Sequence, residues 1–203
     1  MIVKIPSMIA IDHEYLSETA PSGDTPGERP DVQRVYCEIM QIGACKLDAH
    51  GVEIGTLNVT IQPHRLRNIP LWLSRMTGIS EEKRAAGLPY PEALRQLVEF
   101  IGDDNDIWTF SGDWWVVEGN VRAHKLPMPF QQPFQRVKPL LEEKGVTLEK
   151  FKQAGFTEVC SGGLYKVLGI TLPAIEGVGA HDAAHDARSL AYAIFHLKLE
   201  SSL

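Results

Sequence analysis

Three distant points of this sequence carry residue types that can hold a hard cation and move a proton. Asp12 and Glu14 stand in IAIDHEYL, Asp113 follows the apolar run IWTF, and His181 and Asp186 lie in GAHDAAHDARSLA. Clustered carboxylates suit oxygen-preferring divalent ions such as Mg²⁺ or Mn²⁺. A histidine, near neutral in pKa, can take a proton from a metal-bound water. Acids separated by about a hundred and then about seventy residues cannot meet through local structure, so a fold must assemble them. Each piece also has a plainer reading. Asp12 and Glu14 could be surface acids at a strand end, and Asp113 could be an N-capping aspartate.

The elements around these residues favour assembly. SMIAID is a short apolar run ending in an acid, as in a buried strand, and a strand points Asp12 and Glu14 to the same face. CEIMQIGACKL and the alternating GTLNVTIQP read as two more strands, with a hairpin turn over 48–51 between them. Ser80 can cap a short helix in SEEKRA, and PYPEALRQLVEFIG has helical apolar spacing. DIWTF predicts a fourth strand, with Asp113 opening the next helix and Asp104 and Asp106 at the far end of that strand. Ala183, Ala187, Leu190, Ile194 and Leu197 form one stripe of a C-terminal helix. Strands followed by alternating helix and strand give an α/β sheet with helices on its faces.

One segment resists this scheme. Ser17 to Gln33 holds three prolines and two glycines and almost no apolar residues, which predicts a mobile loop. Its place just after Glu14 suggests a substrate-side role. The rest of the 203-residue chain reads as a single domain over 1–203, with 44% hydrophobic and 23% charged residues. No apolar stretch approaches the roughly 20 residues of a membrane span. Cys37, Cys45 and Cys160 lack metal-ligand spacing and read as reduced thiols of a cytoplasmic protein. A net charge of −6 argues against a general duplex-coating protein, yet bound cations would offset much of an acidic site. Candidate phosphate contacts remain at His64, Arg65 and Arg67, at Lys83 and Arg84, and at Arg122, His124 and Lys125, with a solvated surface as the plainer reading of each group.

His181 and His185 are four apart and would share a helical face, as in a transition-metal site. His-Asp also occurs twice, as in HD-type metal phosphohydrolases, but those are helical throughout and the strand-rich first half argues against them. Local sequence leaves open which histidine acts.

Taken together, IDHEY resembles the DxE motif of the DEDDh group of 3′→5′ exonucleases, and HDAAHD resembles their HxAxxD motif through His181, Ala183 and Asp186. CEIMQIGACKLD, TIQP, MTGIS and SGGLYKVLGI are similar to intervening family segments, so the resemblance runs from about Met8 to Leu197. The subgroup it resembles most is that of the RNA-interference and histone-mRNA 3′-end exonucleases. The middle motif departs from the pattern, since SGDWW can be aligned with Trp115 at the ligand position. The register with Asp113 as ligand is preferred, because Val116, Val117 and Val121 then supply the expected apolar face and HKLPMPF falls where relatives carry a similar ending.

The resemblance implies an RNase H-like mixed sheet, three antiparallel strands then parallel ones, flanked by helices. It implies two Mg²⁺ or Mn²⁺ ions about 3.5–4 Å apart on the scissile phosphate. Asp12 would bridge them, Glu14 and Asp186 would complete one site, Asp113 would help hold the second, and His181 would deprotonate the attacking water. The substrate would be a single-stranded 3′ end of RNA or DNA, released as nucleoside 5′-monophosphates. Tyr15 and Leu16 would contact the terminal nucleotide, with Met76 and Ile79 wedged against its base. Trp114 and Trp115 lie near Asp113, and at least one of them is expected to be core. Two other functions fit less well: a metal phosphohydrolase of free nucleotides, and an inactive exonuclease-like binding module, which would have no need of four converging acids.

Overall fold

A computed structural model describes residues 7–17, 36–103, 106–173 and 181–200. Its centre is a five-stranded mixed sheet. The first three strands are β1 (Met8–Ser17), β2 (Cys37–Leu47) and β3 (Glu53–Thr60). They pair antiparallel, and β4 (Ile107–Thr109) and β5 (Gln135–Arg136) then run parallel to β1, in the order β3-β2-β1-β4-β5. This is the RNase H-like arrangement that the sequence led one to expect. The hairpin over 48–51 is present too, with the Asp48 carboxylate accepting from the amides of His50 and Val52. The predicted loop of Ser17 to Gln33 falls, beyond Ser17 itself, outside the described residues, as does Asp104.

Eight helices complete the described chain: α1 (Leu71–Thr77), α2 (Glu81–Ala85), α3 (Tyr90–Ile101), α4 (Asp113–Ala123), α5 (Lys138–Glu143), α6 (Leu148–Gln153), α7 (Leu164–Val167) and α8 (Ala183–Glu200), with a 3₁₀ turn over Ser161–Gly163. Ser80 caps α2 as expected, its hydroxyl accepting from the Lys83 amide.

Strand alternation divides β1 between two cores. Ile9 and Ile11 face a cluster that includes Leu94 and Leu97 of α3 and Val116, Val117 and Val121 of α4. Met8 and Ala10 face the opposite cluster, which holds Leu190, Ile194 and Leu197 of α8. The α8 stripe read from the sequence is therefore buried against the sheet. Truncating a member such as Leu190 to Ala would cost about 2–5 kcal/mol. A third, smaller cluster joins Leu16 at the end of β1 to Met40, Leu73 and Ile79.

Arg84 departs from its expected place. It was grouped with Lys83 as a phosphate contact, yet its side chain is fully buried and donates to Glu38 at 2.6 Å and to the Leu66 carbonyl at 2.6 Å. Burial pushes the Glu38 carboxyl up, but hydrogen bonds from the amides of Leu66, His64 and Arg65, and from Arg84, outweigh it and hold the group below its usual range. The pair locks the 64–66 segment onto β2. Removing one partner would strand the other charge, at a cost of about 3–5 kcal/mol.

Candidate active site

Asp12 and Glu14 share the α8 side of β1, as strand alternation requires. The neighbouring strand has a register shift at Glu14/Tyr15, the kind of irregularity that re-aims side chains at a strand end. Asp186 comes to them from the first turn of α8.

Close approach of that helix depends on two glycines. Gly43 is the register partner of Asp12 on β2, and a Cβ there would lie 2.0 Å from the Ala183 carbonyl carbon. At Gly162 a Cβ would lie 2.2 Å from Asp186 Oδ1. The α8 start is further fixed by Asp182, whose Oδ1 accepts from the Ala184 and His185 amides. Its carboxylate also receives Gln41 Nε2 at 2.9 Å and Asn58 Nδ2 at 3.1 Å, while Gln41 Oε1 accepts from the Ala183 amide. These residues did not stand out in the sequence.

His181 precedes this cap with φ 64°, a left-handed conformation that is uncommon for a residue with a side chain. There it joins the acids. Glu14, His181 and Asp186 each offer one ligand atom within 4.8 Å of the others. His185 is not in that group, and its ring instead lies edge-on to Tyr165, with centroids 5.6 Å apart.

The carboxylates repel one another. Burial pushes Glu14 up to about 8, aided by Asp186, Asp182 and Asp113. Burial likewise raises Asp186 to about 7, with Ser161 and neighbouring backbone pulling the other way. Asp12 rises well above the carboxylate range through burial and then the charges of Asp186, Asp113 and Glu14. Asp186 Oδ1 is buried and has no hydrogen-bond partner among the described residues, while Oδ2 takes the Ser161 hydroxyl at 3.3 Å. A crowded set of hard oxygen donors with an unused buried lone pair fits a divalent cation.

Asp113 opens α4 and is buried, and its charge reaches both Asp12 and Glu14. Its Oδ1, however, pairs with His13 Nδ1 at 3.0 Å. Trp114 packs on the core, edge-on to Phe134 with centroids 5.3 Å apart, as expected for one of the two tryptophans. Trp115 is exposed. Among the residues expected to meet substrate, Tyr15 and Met76 reach the surface, whereas Leu16 and Ile79 are buried in the third cluster. Of the cationic candidates, Arg65 lies over the Tyr36 ring, and the His64 and His124 rings lie together at a tilt with centroids 4.0 Å apart. Arg122 pairs with Glu118 on its own helix.

The family model described as exonuclease matches residues 27–194. The chain belongs to the exonuclease family. No curated protein matches it. Solved structures share its fold at low identity. The nuclease domain of 3′hExo, a DEDDh family member bound to rAMP, is 14% identical with a TM-score of 0.69, over 96% of this chain and 92% of that one. A 3′-exonuclease that recognises the 3′ end of the histone mRNA stem-loop is 14% identical with a TM-score of 0.71, over 96% and 82%. E. coli Exonuclease I bound to an oligonucleotide is 16% identical with a TM-score of 0.61, over 98% of this chain but 42% of that one. The family and the RNase H-like fold make this exonuclease chain a nuclease.

Proposed function

We propose that the chain is a DEDDh-type 3′→5′ exonuclease that hydrolyses phosphodiester bonds at single-stranded 3′ ends of RNA or DNA and releases nucleoside 5′-monophosphates. The observation that carries this reading is the convergence of Glu14, His181 and Asp186 on one spot beside Asp12, in a chain of the exonuclease family. Asp12, Glu14, Asp113 and Asp186 would hold two Mg²⁺ or Mn²⁺ ions. Such ions, when bound, supply Lewis acidity at the phosphate and at the attacking water.

The chain's own groups then have separate tasks. Half-buried His181, brought beside Glu14 and Asp186, would accept the proton of the attacking water. Tyr15 and Met76 offer accessible surface to the last base, and stacking of this kind tolerates any base. Leu16 and Ile79, buried with Met40 and Leu73, would hold the end of β1 and the 78–79 turn in place beside the substrate. We place the protein in the cytoplasm, a reading supported by three cysteines that form no disulfide.

The test is a 5′-labelled single strand, as RNA and as DNA, incubated with Mg²⁺ or Mn²⁺. Stepwise shortening from the 3′ end that EDTA stops is expected. An internal cut pattern, or activity that survives chelation, would falsify the reading.

A further inference from the structure

Asp12 and Glu14 leave β1 on its α8 side, and the residue between them must leave on the other. That residue is His13. Its side chain is fully buried on the face shared by Ile9 and Ile11, and its Nδ1 lies 3.0 Å from Asp113 Oδ1. A carboxylate oxygen accepts, so Nδ1 carries the proton and donates. Nε2 is left buried with no hydrogen-bond partner among the described residues. Leaving a buried ring nitrogen unsatisfied costs about 1–3 kcal/mol, so His13 is retained here at a cost to stability.

That bond has a consequence for Asp113. Its Oδ1 is occupied, and Oδ2 keeps only a long 3.4 Å contact from the Ser111 amide. The carboxylate is therefore gripped from behind the strand that carries the first two acids, while its charge reaches them.

We infer that His13 is a positioning residue for the proposed exonuclease site, using its Nδ1–H to hold Asp113 with Oδ2 turned toward the divalent-ion cluster. The inference rests on the reading of Asp113 as a metal ligand. It also gives the departure of the SGDWW segment a physical basis: an acid standing at this register needs a hydrogen-bond donor behind it. Partners one step behind metal ligands typically change metal affinity or activity about 10–100-fold when removed.

The test compares three variants of the full chain. His13→Phe keeps a ring without a donor. His13→Asn places an amide where Nδ1 stands, and His13→Gln places one where Nε2 stands. Two readouts are needed: kcat and KM for shortening a labelled single strand, and Mn²⁺ binding counted by electron paramagnetic resonance. Thermal melting checks that each variant is folded. We expect His13→Phe and His13→Gln to lower kcat by about 10–100-fold with KM little changed, and to weaken one of the two Mn²⁺ ions by a similar factor. His13→Asn should recover to within about threefold of the parent, because it restores the hydrogen bond to Asp113. If His13→Phe proves unfolded, the Asn-against-Gln comparison decides alone. Equal kcat and Mn²⁺ binding in Asn and Gln would overturn the inference. Asp113→Asn in the same assays separates the two levels. If it is inactive while His13→Gln is normal, only the role of His13 fails. If it is fully active with two ions bound, the reading of Asp113 fails as well.

Discussion

Ala183, the first residue of α8, sits directly on Gly43 of β2, with 2.0 Å between its carbonyl carbon and the place a Cβ on Gly43 would occupy. Gly43 is also the register partner of Asp12. One glycine thus sets how close the helix carrying Asp186 comes to the strand carrying Asp12. Gly43→Ala should push the start of α8 outward and move Asp186 and His181 together. The overpacking should cost about 1–3 kcal/mol in stability. Nuclease activity should fall by roughly 100-fold or more, because small misplacements of reacting groups are costly. Melting curves and a single-strand degradation assay check both effects. A variant that melts lower yet keeps full activity would show that the site does not depend on this contact.

The two ends of β4 should behave differently. Asp113→Asn should reduce turnover by at least about 100-fold, as expected when a ligand of an ion that stabilises the transition state is weakened. Asp106→Asn should leave turnover nearly intact. Asp106 instead accepts from Trp108 Nε1 at 2.8 Å and Gln135 Nε2 at 2.7 Å and pairs with Lys198 at 2.9 Å, so it tethers β4, β5 and α8 at the far end of the sheet. Its loss should therefore appear in melting, at about 1–2 kcal/mol. Wild-type turnover in Asp113→Asn would restore the register with Trp115 at the ligand position.

The histidines of the last motif should separate just as clearly. His181→Ala should cut turnover by roughly 10²–10⁴-fold, the usual contribution of a positioned general base, while single-strand binding largely survives. His185→Ala should have a small effect, because that ring packs on Tyr165 and is not among the grouped ligand atoms. Rates and Mn²⁺ affinity measured on both variants decide this. An inactive His185→Ala, or an emptied metal site in either variant, would favour the His-x-x-x-His arrangement.

Stability without metal should fall as pH rises. The folded protein raises Glu14 from 4.5 to about 8 and Asp186 from 3.8 to about 7, so it binds more protons than the unfolded chain between those values. Stability is then fullest below about pH 4 for these two groups and is lost as pH climbs through 7 and 8. In EDTA, the melting temperature should drop between pH 5.5 and 8.5, and Mg²⁺ should restore most of it at the upper end by neutralising the ionised acids. A melting temperature independent of pH in EDTA would show that the carboxylates are not crowded in solution.

Local pattern made much of this protein legible. The alternation in GTLNVTIQP, the α8 stripe from Ala183 to Leu197 and the Ser80 cap depend on residues within one or two turns, and each element formed as read. The meeting of Glu14, His181 and Asp186 could be expected for a different reason, since their order and spacing resemble a known family pattern. What only the tertiary structure decided were partnerships across long stretches of chain. Lys83 and Arg84 look alike in SEEKRA, yet one is exposed and the other is buried on Glu38, 46 residues away. His13 reads as a spacer between two acids until Asp113, 100 residues on, supplies its partner. Gly43 reads as a flaw in an apolar run until α8 lands on it. The two-residue β5 is too short to have a period at all. Periodicity reports which face of an element is buried, but it says nothing of what lies against that face, and the candidate site is made of such contacts.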